Sequence, residues 1–339
     1  MSTIYDIAKL SETSAATVSY VLNGRGEEKR ISRPTQERIL AVAQRLNYRP
    51  NVTARQLKSP ASATIRIAAF WPEFYFEQSL VSAMRAIKTV SHLYTEGLEV
   101  SVHFFTPGKL ADVWDKMSPV SFNGVILAGA SMEDLAHVAG RPRVVPVVLV
   151  NRRYEGFPSV SIDHEAAGKL ACELAFQRGG QSVCTVWDSR FHVATNLRRT
   201  AFTKRAEELG LELSESQFMC EGSSEDGYEL GRSLIQKGQL KKVLYCNNES
   251  VSRGLLTAMN EAGIRVGEEL YLFTANNGPD AFCRYMTPSV TTIDLRMQEV
   301  FEQGLKLLLG IISRREDPDT VTTISPRYVY RESMPELME

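Results

Sequence analysis

Near the amino end, Thr3, Tyr5, Ser14, Thr17, Ser19 and Asn23 set short polar donors and acceptors around Ala15, Ala16 and Tyr20. Such a set suits duplex DNA. Hydroxyls and amides bond phosphate oxygens, an alanine sits against a thymine methyl, and a tyrosine hydroxyl donates to a base acceptor or a phosphate. A second group is scattered along the chain: Trp71, Asn151-Arg152, Asp163, Trp187, Asn247-Asn248-Glu249 and Asn276-Asn277 each follow a short apolar run. These offer hydrogen bonds and flat faces to a polyhydroxylated or heterocyclic small molecule. Other readings compete: Asp163 as the cap of the next helix, and Asn276-Asn277-Gly278 as a turn. The aromatics Phe70, Trp71, Phe74, Tyr75 and Phe76 exceed what one strand can bury inward.

Catalytic patterns are missing. The sequence has no GxGxxG after the first body strand, no Walker loop, no GxSxG and no metal-spaced cluster. His92, His103, His137, His164 and His192 are scattered and read as surface or core residues. Cys172, Cys184, Cys220, Cys246 and Cys283 lack CxxC spacing and read as reduced, mostly buried thiols. No catalytic residue, metal or cofactor is expected, so the enzyme reading is set aside.

The elements that must carry these residues differ between head and body. Thr3 caps a helix bearing Ile4, Ile7 and Ala8, with Asp6 three residues on. After the turn Ser11-Glu12-Thr13, Ser14 caps a second helix with Val18, Val21 and Leu22 on one face, and Asn23-Gly24 stops it. Ser32 caps a third, with Pro34 in its first turn and Ile39, Val42, Ala43 and Leu46 at i, i+3, i+4, i+7. Two short helices joined by a three-residue turn and closed by a third predict a helix-turn-helix unit, its second helix in the major groove. Beyond Pro50 a short helix over Asn51, Ala54, Leu57 and Lys58 is too short to stand alone. Beside a DNA reader it becomes a candidate minor-groove wedge.

From Ile65, apolar strands alternate with helices. Strands are predicted at Ile65–Phe70, Glu99–Phe105, Gly124–Ala128, Val145–Val150, Ser159–Ile162, Ser182–Val186, Lys242–Cys246 and Leu270–Thr274. Helices are predicted at Ser79–Val90, His164–Gln177, Leu197–Leu209, Tyr228–Gln236, Val251–Ala262 and Met297–Ile312. Alternation of this kind predicts parallel, doubly wound sheets, with enough chain for two. Ligands of such sheets bind at the carboxyl ends of the strands.

Charge agrees. The chain has 339 residues and a net charge of −1, but residues 1–60 carry ten Lys and Arg against five Asp and Glu. A basic head on a mildly acidic body fits nucleic-acid binding. No apolar run reaches the roughly 18–20 residues of a membrane span, and MSTIYDIAKL has no secretory pattern. A transport receptor would have no use for the head. The expectation is a cytoplasmic bacterial protein, nucleoid-associated when bound, with no membrane partner.

These residues resemble the lactose-repressor (LacI/GalR) family. The similarity is carried by TIYDIAKLSETSAATVSYVLNG (3–24) and SRPTQERILAVAQRLNYRPNVTARQLKS (32–59). It continues through FNGVILAG (122–129), VPVVLVNR (145–152), VSIDHEAAGKLACELA (160–175), YCNNESVSRGLL (245–256) and TPSVTTI (287–293). The resemblance implies an all-α three-helix head over 1–48, a hinge over 49–60, and a periplasmic-binding-protein-like α/β core of two doubly wound subdomains. These would be 61–159 with 291–322, and 160–290 with 323–339. It implies a homodimer on palindromic operator DNA, with Leu57 intercalating and Lys58 as a minor-groove cation. It implies effector contacts from Asn151, Arg198, Asn248 and Asn276, and stacking by Tyr75-Phe76. The function expected is an allosteric regulator, a repressor, whose effector (a sugar, glycoside or nucleoside-like compound) binds between two lobes; Trp71 and Trp187 add flat faces. Departures matter: Glu12 stands at a usual glycine and Tyr20 at a frequent arginine. Asn151 and Asn276 are neutral where aspartate is common. The tail RESMPELME lacks leucine heptads, so no tetramerising helix is expected.

Overall fold

The computed structural model describes residues 3–22, 25–46, 64–73, 77–94, 97–115, 121–141, 143, 145–189, 193–213, 216–276, 278 and 281–336. In the head, α1 (Ile4–Leu10) opens on Thr3, which exchanges bonds with Asp6 in a capping box. It ends in a left-handed residue: Glu12 has φ 51°, and the Thr13 amide reaches back to the Ala8 carbonyl at 3.0 Å. This is a Schellman-type stop at a position that favours glycine. The Thr17 amide donates to the Ser14 hydroxyl at 3.0 Å, starting α2 (Ala15–Leu22). The third helix, α3 (Arg33–Arg45), closes over a small core of Ile7, Ala8, Val18, Val21, Leu22, Ile39, Val42 and Ala43. The expected apolar faces are the observed ones.

The chain divides into two compact units, Met1–Tyr75 with Met84–Ser161 and Glu299–Thr322, and Phe76–Ala83 with Ile162–Gln298 and Thr323–Glu339. In chain order the body runs β1 (Ile65–Pro72), α4 (Glu77–Ser91), β2 (Leu98–Phe105), α5 (Ala111–Trp114), β3 (Gly124–Ala128), α6 (Met132–Ala139), β4 (Val147–Val150) and β5 (Ser159–Ile162). It continues α7 (His164–Gly179), β6 (Val183–Asp188), α8 (Val193–Glu208), β7 (Gln217–Cys220), α9 (Ser224–Gln236), β8 (Val243–Cys246), α10 (Glu249–Glu261) and β9 (Tyr271–Asn276). Last come α11 (Ala281–Arg284), β10 (Thr291–Asp294), α12 (Met297–Ile312), β11 (Val321–Ile324) and β12 (Arg327–Val329).

The first unit's sheet has the order β11-β5-β4-β3-β1-β2, with β1 to β5 pairing in parallel. Its central strands are apolar throughout, as strands covered on both faces must be: β3 and β4 are buried at every position. On one side Phe70, Trp114, Leu127, Leu135 and Leu149 form the core. Against β3, Leu308 and Ile312 of α12 lie in the space a side chain at Gly124 would occupy.

The second unit's sheet has the order β12-β10-β9-β8-β6-β7, parallel except for the antiparallel β10–β12 pair. Strand alternation sends Cys184, Val186, Leu244, Cys246 and Leu272 to one face, packed with Val251, Leu255 and Met259 of α10. The alternate residues Trp187, Tyr245 and Phe273 form a cluster with Phe202 of α8. The Tyr245 ring stacks on Phe202 at 5.5 Å, and Trp187 meets both edge-on at 5.6 and 5.4 Å. Each such ring contributes about 1.5–3 kcal/mol by burial. All five cysteines are free and buried, and burial pushes the Cys172 thiol up to about 12 and Cys184 to about 11.

Sequence reasoning missed β7, β10, β11 and β12, and ended β1, β6 and β9 two residues early. The strands continue because partners exist: Trp71 and Pro72 pair with Phe104 and Phe105, and Trp187 and Asp188 with Met219 and Cys220. Edge partners are remote in sequence and leave no local periodicity.

Candidate functional site

On the head, Thr3, Tyr5, Ala16 and Tyr20 are exposed. The Ser14 hydroxyl shares a 2.8 Å bond with that of Thr17, so both are partly committed to starting α2. Ala16 and Tyr20, four residues apart, share a face of the helix opposite buried Val18, Val21 and Leu22. Ala15 and Ser19 are half-buried at its margins. Asn23 and the expected hinge residues Asn51, Ala54, Leu57 and Lys58 lie outside the described residues.

In the body, Tyr75 and Phe76 also lie outside the described residues. Trp71 and Trp187, expected to add flat faces, are both buried. Both sit within strands, 3% and 1% exposed. Trp71 packs on Phe301. Trp187 has its indole N–H donating to Thr185 Oγ1 at 2.9 Å. Strand extension turned these residues into core. Asn151 follows β4 in the left-handed region (φ 56°), a conformation asparagine tolerates. Its amide donates to Val160 O at 2.8 Å, and its carbonyl accepts from Arg152. The Arg152 guanidinium is buried on the carbonyls of Gly129, Ala130 and Asn151, which makes it a strut of the first unit's strand ends.

The remaining candidates gather at the strand ends of the second sheet. Arg198, on α8, is 2% exposed. It donates from Nε to Asn247 Oδ1 at 2.8 Å, from Nη1 to His164 Nδ1 at 3.1 Å, and from Nη2 towards Thr195 Oγ1 at 3.5 Å. An arginine only donates, so His164 accepts there through a neutral Nδ1. Asn247 Oδ1 takes a second bond, from Tyr245 OH at 3.1 Å. Tyr245 and Asn247 are two apart along the chain and so share a face, which sets the polar group on top of the aromatic cluster. Burial raises the Tyr245 phenol well above its ordinary range, so it remains a donor.

Asn248 points the other way. Its Oδ1 caps α10, accepting from the amides of Ser250 and Val251 at 2.8 and 3.3 Å, and Nδ2 approaches Asp188 Oδ2 at 3.4 Å and Gly222 O at 3.3 Å. Asn276 ends β9 opposite Asp294, and its Oδ1 accepts from the Gly278 amide at 3.2 Å, a local Asx turn. Asp163 caps α7 through the Ala166 amide at 2.8 Å.

Arg198 and Asn247 are thus brought together with His164 and Thr195. By sequence His164 reads as one of five scattered histidines, and Thr195 stands just ahead of the helix predicted at Leu197–Leu209. The available signal was position: His164 opens the helix after β5, and Thr195 precedes Arg198 by one helical turn. Gly168 permits the arrangement. A Cβ there would run into the Arg198 carbonyl oxygen, so α7 and α8 cross in close contact. Among the described residues no group of His, Cys, Asp and Glu suits a metal, and no helix is long and apolar enough to cross a membrane.

A helix-turn-helix head on two parallel α/β units with polar strand ends defines a DNA-binding regulator with a periplasmic-binding-protein-like body. Residues 3–51 match the profile of bacterial regulatory proteins of the lacI family, and residues 175–334 that of a periplasmic binding protein-like domain. The chain thus combines a lacI-family helix-turn-helix domain with a periplasmic-binding-protein-like domain. It is 23% identical over all of both chains to the HTH-type transcriptional repressor PurR of Haemophilus influenzae. It is 25% identical to catabolite control protein A of Staphylococcus aureus, over 97% of this chain and 98% of that one. The lac repressor dimer bound to operator and the anti-inducer ONPF shares the fold, with a TM-score of 0.69, 19% identity and 99% of each chain covered.

Proposed function

We propose that the protein is a homodimeric repressor. Its heads read a palindromic operator, and its DNA affinity is set by a small hydroxylated effector, a sugar, glycoside or nucleoside-like compound. On this reading residues 49–60 form the hinge, with Leu57 wedging a base step and Lys58 on the backbone. The observation that carries the effector half is the Arg198–Asn247–His164–Thr195 network at the strand ends of the second sheet. A buried, braced cation among neutral amide, imidazole and hydroxyl groups suits hydroxyl or carboxylate oxygens better than an apolar ligand. With Trp71 and Trp187 in the core, the flat faces offered to a ligand on this reading are those of Tyr75 and Phe76. Effector binding shifts the balance between DNA-competent and incompetent dimers, with a coupling of about 1–3 kcal/mol.

The test is a thermal-shift screen of the purified protein against sugars, glycosides and nucleosides, repeated with Arg198→Ala. A true effector raises the melting temperature in proportion to saturation, and changes the affinity for a duplex enriched by the protein from a randomised pool. Arg198→Ala should lose both responses and keep DNA binding. A variant that retains the full response removes Arg198 from the site.

A further inference from the structure

The turn that follows α2 carries a charge cluster against the reading helix. Residues 26–30 form turns, and within this stretch Glu28 is gripped by the neighbouring Arg25 through two parallel bonds, Nε to Oε2 at 2.8 Å and Nη2 to Oε1 at 2.7 Å. Lys29 Nζ lies 3.2 Å from the same Oε1. Both cations also stand over the Tyr20 ring, Arg25 Cζ at 5.7 Å and Lys29 Nζ at 5.5 Å from its centre. The four side chains are all partly open to solvent, and Tyr20 is 37% exposed. Tyr20 shares its helix face with Ala16, so the cluster borders the surface offered to base edges.

A guanidinium held by a carboxylate fork and lying over an aromatic ring has little freedom left. The fork biases its orientation before any duplex arrives. Glu28 meanwhile cancels one of two positive charges where phosphates approach, and repels them itself. DNA that merely offers phosphates gains little from this corner. DNA that seats the Tyr20 ring also brings the oriented Arg25 and Lys29 into place.

We infer that Arg25 and Lys29 extend the reading surface beyond the helix and that Glu28 is a selectivity residue, positioning both cations and suppressing sequence-independent binding. The inference rests on the head reading DNA.

The experiment compares the full chain with Glu28→Gln, Glu28→Asp and Arg25→Gln on two duplexes. One is enriched from a randomised pool by the unaltered protein, and the other is the same sequence shuffled. Glu28→Gln should bind the shuffled duplex about 5–10-fold tighter, with a salt dependence steeper by about one phosphate contact. The ratio of enriched to shuffled affinity should fall by a similar factor. Glu28→Asp keeps the charge and should restore most of that ratio. Arg25→Gln should weaken binding to the enriched duplex about tenfold, the scale of one good directional contact. A Glu28→Gln protein whose ratio stays within twofold of the unaltered protein and whose salt slope is unchanged overturns the inference. Failure of the DNA-reading assignment looks different, because the unaltered protein then enriches no duplex.

Discussion

Replacing Asn247 by leucine removes the amide oxygen that two buried donors face, together with the Nδ2 donor that reaches towards Thr195 Oγ1 at 3.5 Å. Asn247 is 1% exposed, and Oδ1 accepts from the Arg198 Nε–H at 2.8 Å and the Tyr245 O–H at 3.1 Å. The bond to the guanidinium is charge-assisted, worth about 1.5–3 kcal/mol, and the phenol bond about 1 kcal/mol. Leucine has the same number of side-chain heavy atoms in a bulkier shape, and recovers about 1 kcal/mol by burying apolar atoms. The second unit should therefore lose about 1.5–3 kcal/mol, roughly 10–150-fold in its opening equilibrium. Asn247→Asp keeps an acceptor for both donors and adds a negative charge beside the guanidinium, so it should cost less than about 1 kcal/mol. Hydrogen exchange of the β8 amides, Val243–Cys246, reads the opening of this unit. If the leucine protein exchanges these amides at the wild-type rate, the network contributes nothing to stability. If Asn247→Asp is as damaging as Asn247→Leu, restoring the acceptor does not restore stability and the hydrogen-bond reasoning is wrong.

Two further outcomes follow from backbone geometry. Glu12→Gly removes a side chain from an exposed left-handed position. Strain relief of about 1–2 kcal/mol, less glycine's entropic cost of about 0.5–1 kcal/mol, should stabilise the head by about 0.5–1 kcal/mol. Slower exchange of α1 and α3 amides checks this, and unchanged or faster exchange contradicts it. Gly168→Ala drives a methyl against the Arg198 carbonyl and within 2.9 Å of Ala201 Cβ, which forces α7 and α8 apart. It should cost about 1–3 kcal/mol as an overpacked contact, and weaken the thermal shift given by any effector that depends on Arg198. An alanine protein with wild-type melting and effector response would mean that the helices can separate without moving the site.

The sequence by itself determined the head. Its three helices are each specified within a dozen residues, by a cap, an apolar face and a stop, and local signals suffice where the interactions are local. It also determined the alternation of strand and helix, because parallel strands covered on both faces must be apolar throughout. What only the tertiary structure decided is which polar residues meet. Trp71 and Trp187 looked like strand-end faces until pairing with β2 and β7 carried the strands past them. Asn247 and Asn248 are adjacent and chemically identical. Alternation turns one towards Arg198 and the other into the cap of α10. His164 reaches Arg198 from 34 residues away, across a helix crossing that Gly168 allows. Such contacts are set by sheet register and by how closely two helices approach, and these are properties of the packed chain that no short window of sequence contains.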